Sequence, residues 1–301
     1  MRMTARRPIR WIIPLFLAPA LLFYTLFFVY PALDAFRISL YDWTGFGNNA
    51  KFIGLKNFGE ALRDQYVRLS LSNNLLIMVL GGALLFTLAL YFAVVLSTPT
   101  VRFRGLLRVV LFFPYTINVV GIAFLWLFIL NPQFGLLNGT LDAFGLDRFT
   151  QVWLGDRNLA MASIIWVIIW MVIGFYTILL QAGIDNIPQD LRDAARADGA
   201  EGVTLFLYIT LPLLRDVLAV AVTYWIIDAL QVFGIVFALT HGGPAKETNT
   251  VATYMYSVAL PQESPILRFG YGTSIAVLLF ILVVIASAVY FRLIRREAVE
   301  F

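Results

Sequence analysis

The chain has 301 residues, 60% of them hydrophobic and 13% charged, with a net charge of +4 and a mean hydropathy of +0.83. Soluble domains carry about a quarter charged residues, so a deficit spread over the whole length excludes a soluble fold and predicts an all-α polytopic membrane protein. With no cysteine and one histidine, His241, disulfides, thiolate metal centres, cysteine nucleophiles and multi-histidine metal sites are excluded, and the small basic excess fits membrane surfaces rather than nucleic acid.

Residues 1–10 carry Arg2, Arg6, Arg7 and Arg10 without an acid and are expected as a short cytoplasmic N-terminus. Residues 11–301 are expected as one transmembrane domain. A first span is predicted over 11–30. A cleaved signal peptide is the competing reading, with Ala18-Pro19-Ala20 as its small-residue site, but the apolar run continues well past it. Residues 31–74 are rich in Gly, Asn and aromatics and predict a loop with a short interfacial helix near 56–69. Further spans are predicted over 75–96, over 109–130 with Pro114 near its start, and over 159–183, 217–239 and 271–291.

The charges orient these six spans. Arg2, Arg6, Arg7, Arg10, Arg102, Arg104, Arg108, Arg192, Arg196, Arg215, Arg292, Arg295 and Arg296 fall on one side, 13 of the 22 basic residues. The short loop bearing Arg102 and Arg104 holds no acid. The positive-inside rule places that side, and both termini, in the cytoplasm.

Between the fourth and fifth spans lies the loop 185–212, with Asp190, Arg192, Asp193, Arg196, Asp198 and Glu201 within a dozen residues. Pro188 sits where a helix begins. Asp190 is expected to N-cap it, with Asp193 completing a capping-box-like pair. Gly199 is expected to stop it in a left-handed cap, and a second short helix is expected from Glu201 to Ile209. On the residues alone, two readings stand: a solvated elbow, or a docking helix whose small face at Ala194, Ala195 and Ala197 lets a partner approach closely.

The segment Asp193-Ala194-Ala195, three residues, Gly199, nine residues, Ile209-Thr210-Leu211-Pro212 resembles the EAA loop of ABC-importer permeases, with every spacing kept and Asp193 where that family has Glu. Leu239-Thr240-His241-Gly242-Gly243-Pro244 with Thr248 resembles the LTxGGPxxxT motif of the sugar-importer permeases. Its common bearers resemble the larger maltose permease and the glycerol-phosphate permease. Tyr41-Asp42-Trp43, Gly54-Leu55-Lys56-Asn57-Phe58 and Gly135-Leu136-Leu137-Asn138 are similar to that group too; Phe233-Gly234 departs from its usual Phe-Asp. The resemblance implies the six-helix type I importer permease fold and an inner-membrane location. It makes Asp193, Ala194, Ala195, Arg196, Asp198 and Gly199 the residues that couple to an ATPase. It further implies a second, homologous permease, two ATPase copies, and an extracytoplasmic sugar-binding protein. No G-x-x-x-x-G-K-[ST] phosphate loop occurs, so no cofactor is expected in this chain, and ATP and Mg would be bound by the ATPase.

A path across a bilayer needs polar groups at membrane depth facing the bundle interior. The fifth predicted span offers Tyr224, Asp228 and Gln231 on one helical face with Trp225 beside them. Aromatic faces with a carboxylate and an amide suit a carbohydrate. Trp170, Phe175 and Tyr176 of the fourth span and Asn118 of the third complete the candidate path, against the alternatives of bundle packing for the rings and an intersubunit bond for Asp228. An ion-coupled carrier would show paired repeats, and an intramembrane enzyme would need a catalytic constellation; neither is evident in the sequence.

Overall fold

The computed structural model describes residues 12–98, 100–261 and 267–295. Arg2, Arg6, Arg7, Arg10 and Arg296, used above for orientation, lie outside them. In chain order the helices are α1 (Ile12–Tyr24), α2 (Tyr30–Ile38), α3 (Lys56–Arg63), α4 (Gln65–Leu76), α5 (Gly82–Ser97), α6 (Arg104–Thr116), α7 (Val119–Ile129), α8 (Leu136–Ala143), α9 (Ala160–Asp185), α10 (Gln189–Ala197), α11 (Gly202–Leu205), α12 (Leu211–Leu213), α13 (Arg215–Gln231), α14 (Gly234–Thr240), α15 (Val251–Ala259) and α16 (Phe269–Arg295). A two-stranded antiparallel ribbon, β1 (Tyr41–Asp42) and β2 (Lys51–Phe52), lies between α2 and α3.

Among the described residues four helical stretches are long and apolar enough to cross a membrane: Pro14–Ile38, Gln65–Ser97, Ala160–Asp185 and Phe269–Arg292. Two further positions are helix pairs bent by 101° (α6 with α7) and by 73° (Gly202–Leu213 with α13), so six spans result if each bent pair counts as one. The predicted boundaries need three corrections. First, the helix expected to stop at residue 30 runs on to Ile38, because a π turn at Thr25–Val29 leads into α2 and Pro31 sits in the first turn of α2, where its missing N–H costs little. Second, residues 65–76 are α4, which a π turn at Ile77–Gly81 joins to α5. The resulting 33-residue rod would be about 50 Å long at 1.5 Å per residue, longer than a bilayer core.

Third, the spans predicted over 109–130 and 217–239 are each broken. α6 ends at Thr116, Ile117 and Asn118 are extended, and the Asn118 Oδ1 accepts the Val120 N–H at 2.9 Å to start α7. α13 stops at Gln231 and α14 starts at Gly234. The carbonyls freed at that second break are taken by Asn74 of α4, whose amide donates to Ala229 O at 2.7 Å and Leu230 O at 3.1 Å. Its oxygen accepts the Val251 N–H at 2.8 Å. The Thr250 hydroxyl takes Val232 O at 2.8 Å. Irregular backbone at membrane depth is tolerated where protein groups satisfy it.

Two compact units divide the described residues. The smaller draws on 12–62 and 257–277. Within it the buried Asn57 donates to Ser39 O and Tyr41 O at 2.9 and 3.0 Å, Trp43 meets Phe269 edge-on at 5.7 Å, and Arg268 pairs with Glu60 at 2.7 Å. The Tyr41-Asp42-Trp43 and Gly54–Phe58 stretches therefore shape a loop. No side chain of the apolar helix Pro14–Ile38 is buried.

The larger unit, 63–256 with 278–295, is built around α9. Ile164, Ile168, Tyr176 and Leu180 of α9 are buried with Ile77, Leu85, Ala89, Leu214, Trp225 and Val236. α6 lies directly on α9: a Cβ added to Gly174 would fall 2.0 Å from Leu111 O and 2.6 Å from the Phe112 Cα. Backbone cannot yield as a flexible side chain does. Gly174→Ala is therefore expected to destabilise the purified chain by about 1–3 kcal/mol, the usual range for overpacking, read as a lowered melting temperature in detergent. An unchanged melting temperature would show that α6 does not seat there.

Candidate coupling helix and translocation face

α9 ends at Asp185 and α10 begins four residues later, with Pro188 in the N-cap position. The expected cap is corrected here: Asp190 lies inside the first turn, and no side chain caps the helix. The helix starts two residues earlier than expected, with Pro188 as its N-cap, and Asp190 still faces the positive end of the helix dipole. Asp193 instead accepts from Gln189 Nε2 at 2.9 Å and from Arg196 Nη1 at 3.0 Å. Both charged side chains are more than half exposed, so that pair contributes only about 0.2–1 kcal/mol.

The end of α10 follows expectation. Gly199 has φ +83°, its N–H donates to Arg196 O at 3.0 Å, and the Ala200 N–H donates to Ala195 O at 2.9 Å. These are the two bonds of a Schellman cap. Ala195 is buried, whereas Asp193, Ala194, Arg196, Ala197, Asp198 and Gly199 are exposed. Of the predicted small face, then, Ala195 points inward and Ala194 and Ala197 point out. The second helix is longer and less regular than expected: α11, a π turn at Phe206–Thr210, then α12. Pro212 cannot donate to the turn before it, which favours the wider winding there.

On α13 the exposed face carries Tyr224, Asp228 and Gln231, one above the other as their spacing requires. Gln231 is the last residue before the break. Among the described residues no protein group pairs with the Asp228 carboxylate. Trp225 does not belong to this face. It is 3% exposed, and its Nε1–H donates to Met78 O at 2.9 Å. One residue along a helix turns about 100°, and the indole fills the space that Gly82 leaves, where a Cβ would meet its Nε1 at 2.5 Å.

The fourth-span aromatics divide. Phe175 stacks on Tyr115 of α6 at 4.9 Å and 18°, and packs on Tyr224 at 5.6 Å. Tyr176 is 1% exposed, between Phe86 and Trp225, with its hydroxyl unpaired among the described residues. Trp170 is turned elsewhere, edge-on to Trp126 at 5.4 Å. Asn118 is exposed but engaged as the N-cap of α7. The structure thus brings together Tyr115, Phe175, Tyr224 and Asp228, with Gln231 at the edge, and leaves Trp170, Tyr176 and Trp225 in the packing.

Sequence reasoning missed Tyr115, which nothing in an apolar run singles out. It also missed Asn73 and Asn74. Two adjacent amides at the start of an apolar span were a usable signal, because such groups need partners. Asn73 donates to Glu247 O at 2.7 Å and Asn249 O at 2.9 Å, holding the Gly-Gly-Pro turn. Within that turn the Thr248 hydroxyl binds Gly243 O, and the Thr248 N–H donates to Gly242 O at 3.1 Å. Gly242 has φ +85° and no room for a Cβ, which would lie 2.0 Å from Asn249 Oδ1. The motif is a tight turn, with His241 exposed beside it. Asn138 organises a second loop, donating to Pro132 O and Gln151 O and accepting from Trp153 Nε1 at 2.8 Å.

Comparison with known proteins agrees with this architecture. The chain is 38% identical over 279 residues to the probable ABC transporter permease protein YurN of Bacillus subtilis, covering 92% of this chain and 94% of that one. It is 33% identical to the diacetylchitobiose uptake system permease protein NgcF of Streptomyces coelicolor, covering 92% and 80%. It is 32% identical to the sn-glycerol-3-phosphate transport system permease protein UgpA of Agrobacterium fabrum, covering 94% of each. A chain of a bacterial ABC transporter involved in the import of the acidic polysaccharide alginate shares the fold, with a TM-score of 0.81, 22% identity and 96% of each chain covered. Residues 86–299, most of the chain, match the family described as binding-protein-dependent transport system inner membrane component. The chain belongs to that family and is a multi-pass permease subunit of an ABC importer.

Proposed function

We propose that this permease, paired with a second homologous permease, forms the path for an uncharged sugar or oligosaccharide handed over by an extracytoplasmic binding protein. Two ATPase copies bind ATP and Mg on the cytoplasmic side and dock α10 and its Schellman turn. The observation that carries this reading is Asp228, without a pairing group among the described residues, on an exposed helical face with Tyr224, Phe175 and Tyr115 around it. Ring faces fit sugar C–H surfaces and the carboxylate accepts from hydroxyls. The same carboxylate repels phosphate or sulfonate groups, which supports a neutral substrate over an anionic one such as glycerol phosphate. Transport proceeds by alternating access, with ATPase closure moving α10 and the helices attached to it. The chain itself carries out no covalent chemistry.

Proteoliposomes holding the whole importer test this reading. Uptake of a labelled neutral disaccharide should require ATP and the binding protein and persist when ion gradients are collapsed. Uptake that follows an ion gradient without ATP would overturn it.

Orientation has its own test. The chain lacks cysteine, so single cysteines report cleanly. In intact cells, cysteines at Asn49 and Ala245 should react with an impermeant maleimide added outside, and one at Ala197 should react only after permeabilisation. Outside labelling at Ala197 would reverse the topology and remove the docking role of α10.

A further inference from the structure

Beside the start of the coupling segment, three helices meet at one buried amide. Gln181 of α9 is 3% exposed. Its Oε1 accepts from Arg108 Nε of α6 at 3.0 Å. Its Nε2 donates to Asp185 Oδ2 at 3.2 Å and, at 3.4 Å, to Leu96 O, one of the last carbonyls of α5 and therefore without a partner further along that helix. Arg108 Nη2 lies 3.9 Å from the same Asp185 oxygen. The arginine and the aspartate are each about half exposed, so their direct attraction is weak. The buried amide between them is the stronger tie, because losing it strands the Leu96 carbonyl in a dry site.

The position of this knot gives it a consequence. Asp185 is the last residue of α9, and α10 begins at Gln189. Further along α6, the Leu111 backbone rests on Gly174 and the Tyr115 ring stacks on Phe175. α6 is thereby fixed to α9 at three levels, from the foot of the coupling segment to the proposed sugar face. Arg108 and Tyr115 are seven residues apart, about 10 Å along a helix.

We propose that Gln181 is a positioning residue of the transport cycle: with Arg108 and Asp185 it locks α6 to α9 beside α10, so that Tyr115 and the sugar face turn with the coupling helix as one body. This rests on the reading that α10 docks an ATPase. A hydrogen-bonded joint, unlike a purely apolar contact, holds one angle, because a small rotation breaks several directional bonds together.

The test uses the complete importer in lipid nanodiscs, with spin labels on cysteines at Ala197 and Thr116, both exposed. Distances are measured without nucleotide and after trapping with ATP and vanadate. The Ala197 label should be immobilised when the ATPase is present, and the Ala197–Thr116 distance should be narrow and unchanged by trapping. Gln181→Leu keeps the bulk and removes the bonds; it should split or broaden that distribution while basal ATP hydrolysis continues. The pair Gln181→Glu with Asp185→Asn reverses donor and acceptor between the two side chains and keeps the acceptor for Arg108, giving up only the 3.4 Å bond to Leu96 O, so it should bring the distance back from the broad distribution of Gln181→Leu towards the narrow one. A packing role would give no such rescue. If the ATPase leaves the Ala197 label mobile, the docking reading fails and this inference falls with it. If the label is immobilised but the unmodified protein shifts by roughly 5 Å, about one helical turn, on trapping, or if Gln181→Leu leaves the distribution narrow, the inference alone is overturned.

Discussion

Gly199→Val is expected to leave the chain inserted and assembled with its partner permease, but to weaken binding of the ATPase by about 5–30-fold and to lower ATP-driven uptake with it. The reasoning starts from the backbone. Gly199 sits at φ +83°, a region that costs an L-residue about 1–2 kcal/mol and is worse for a β-branched side chain. A Cβ there meets nothing within 4 Å, so the penalty is conformational and confined to the turn. The two cap bonds, Gly199 to Arg196 O and Ala200 to Ala195 O, require that conformation. When only a fraction of molecules holds the turn, apparent affinity for a partner that reads it falls by that fraction. Gly199→Asn is the control, since asparagine tolerates left-handed angles, and should restore most of the binding. Titration of purified ATPase against the variant in nanodiscs reads the effect. Unchanged affinity in the valine variant would mean that the turn is not what the ATPase recognises.

How much of this was legible before the structure depends on the kind of signal involved. Gly199 could be read because a glycine after a helix-forming run has one common use, and the observed cap matches it. Asp190 could not be placed to the residue: Pro188 and Asp190 both suit a helix start, and the cap falls on Pro188. The apolar runs over 109–130 and 217–239 are continuous in hydropathy, so each reads as one span. What breaks them is local and polar, namely Asn118 capping α7 and the Asn74 amide taking Ala229 O and Leu230 O from 155 residues away. Long-range satisfaction of that kind leaves no periodic trace. Tyr224, Asp228 and Gln231 were placed on one face by spacing alone, whereas Trp225 was misplaced because a one-residue step cannot be judged without knowing that Gly82 leaves room for its ring.

Asp228 carries the second large effect. Burying an acid in a spanning helix costs on the order of 2.5–3.5 kcal/mol on insertion scales, and within this subunit no described group pairs with it. The proposed use is therefore a bond outside the described residues, to a sugar or to the partner permease. Hydrogen bonds to a charged group contribute about 1.5–3 kcal/mol. If the carboxylate binds sugar hydroxyls, Asp228→Leu should raise the KM for uptake about 10–150-fold, leaving basal ATP hydrolysis and assembly intact. Asp228→Asn retains one acceptor and should fall between. Were the carboxylate bonded to the partner permease instead, the leucine variant would lose the partner on purification, and basal hydrolysis would fall with it. Measuring KM and the co-purified partner on the same preparation separates the two. Wild-type values for both in Asp228→Leu would refute the assignment of the α13 face as the sugar path.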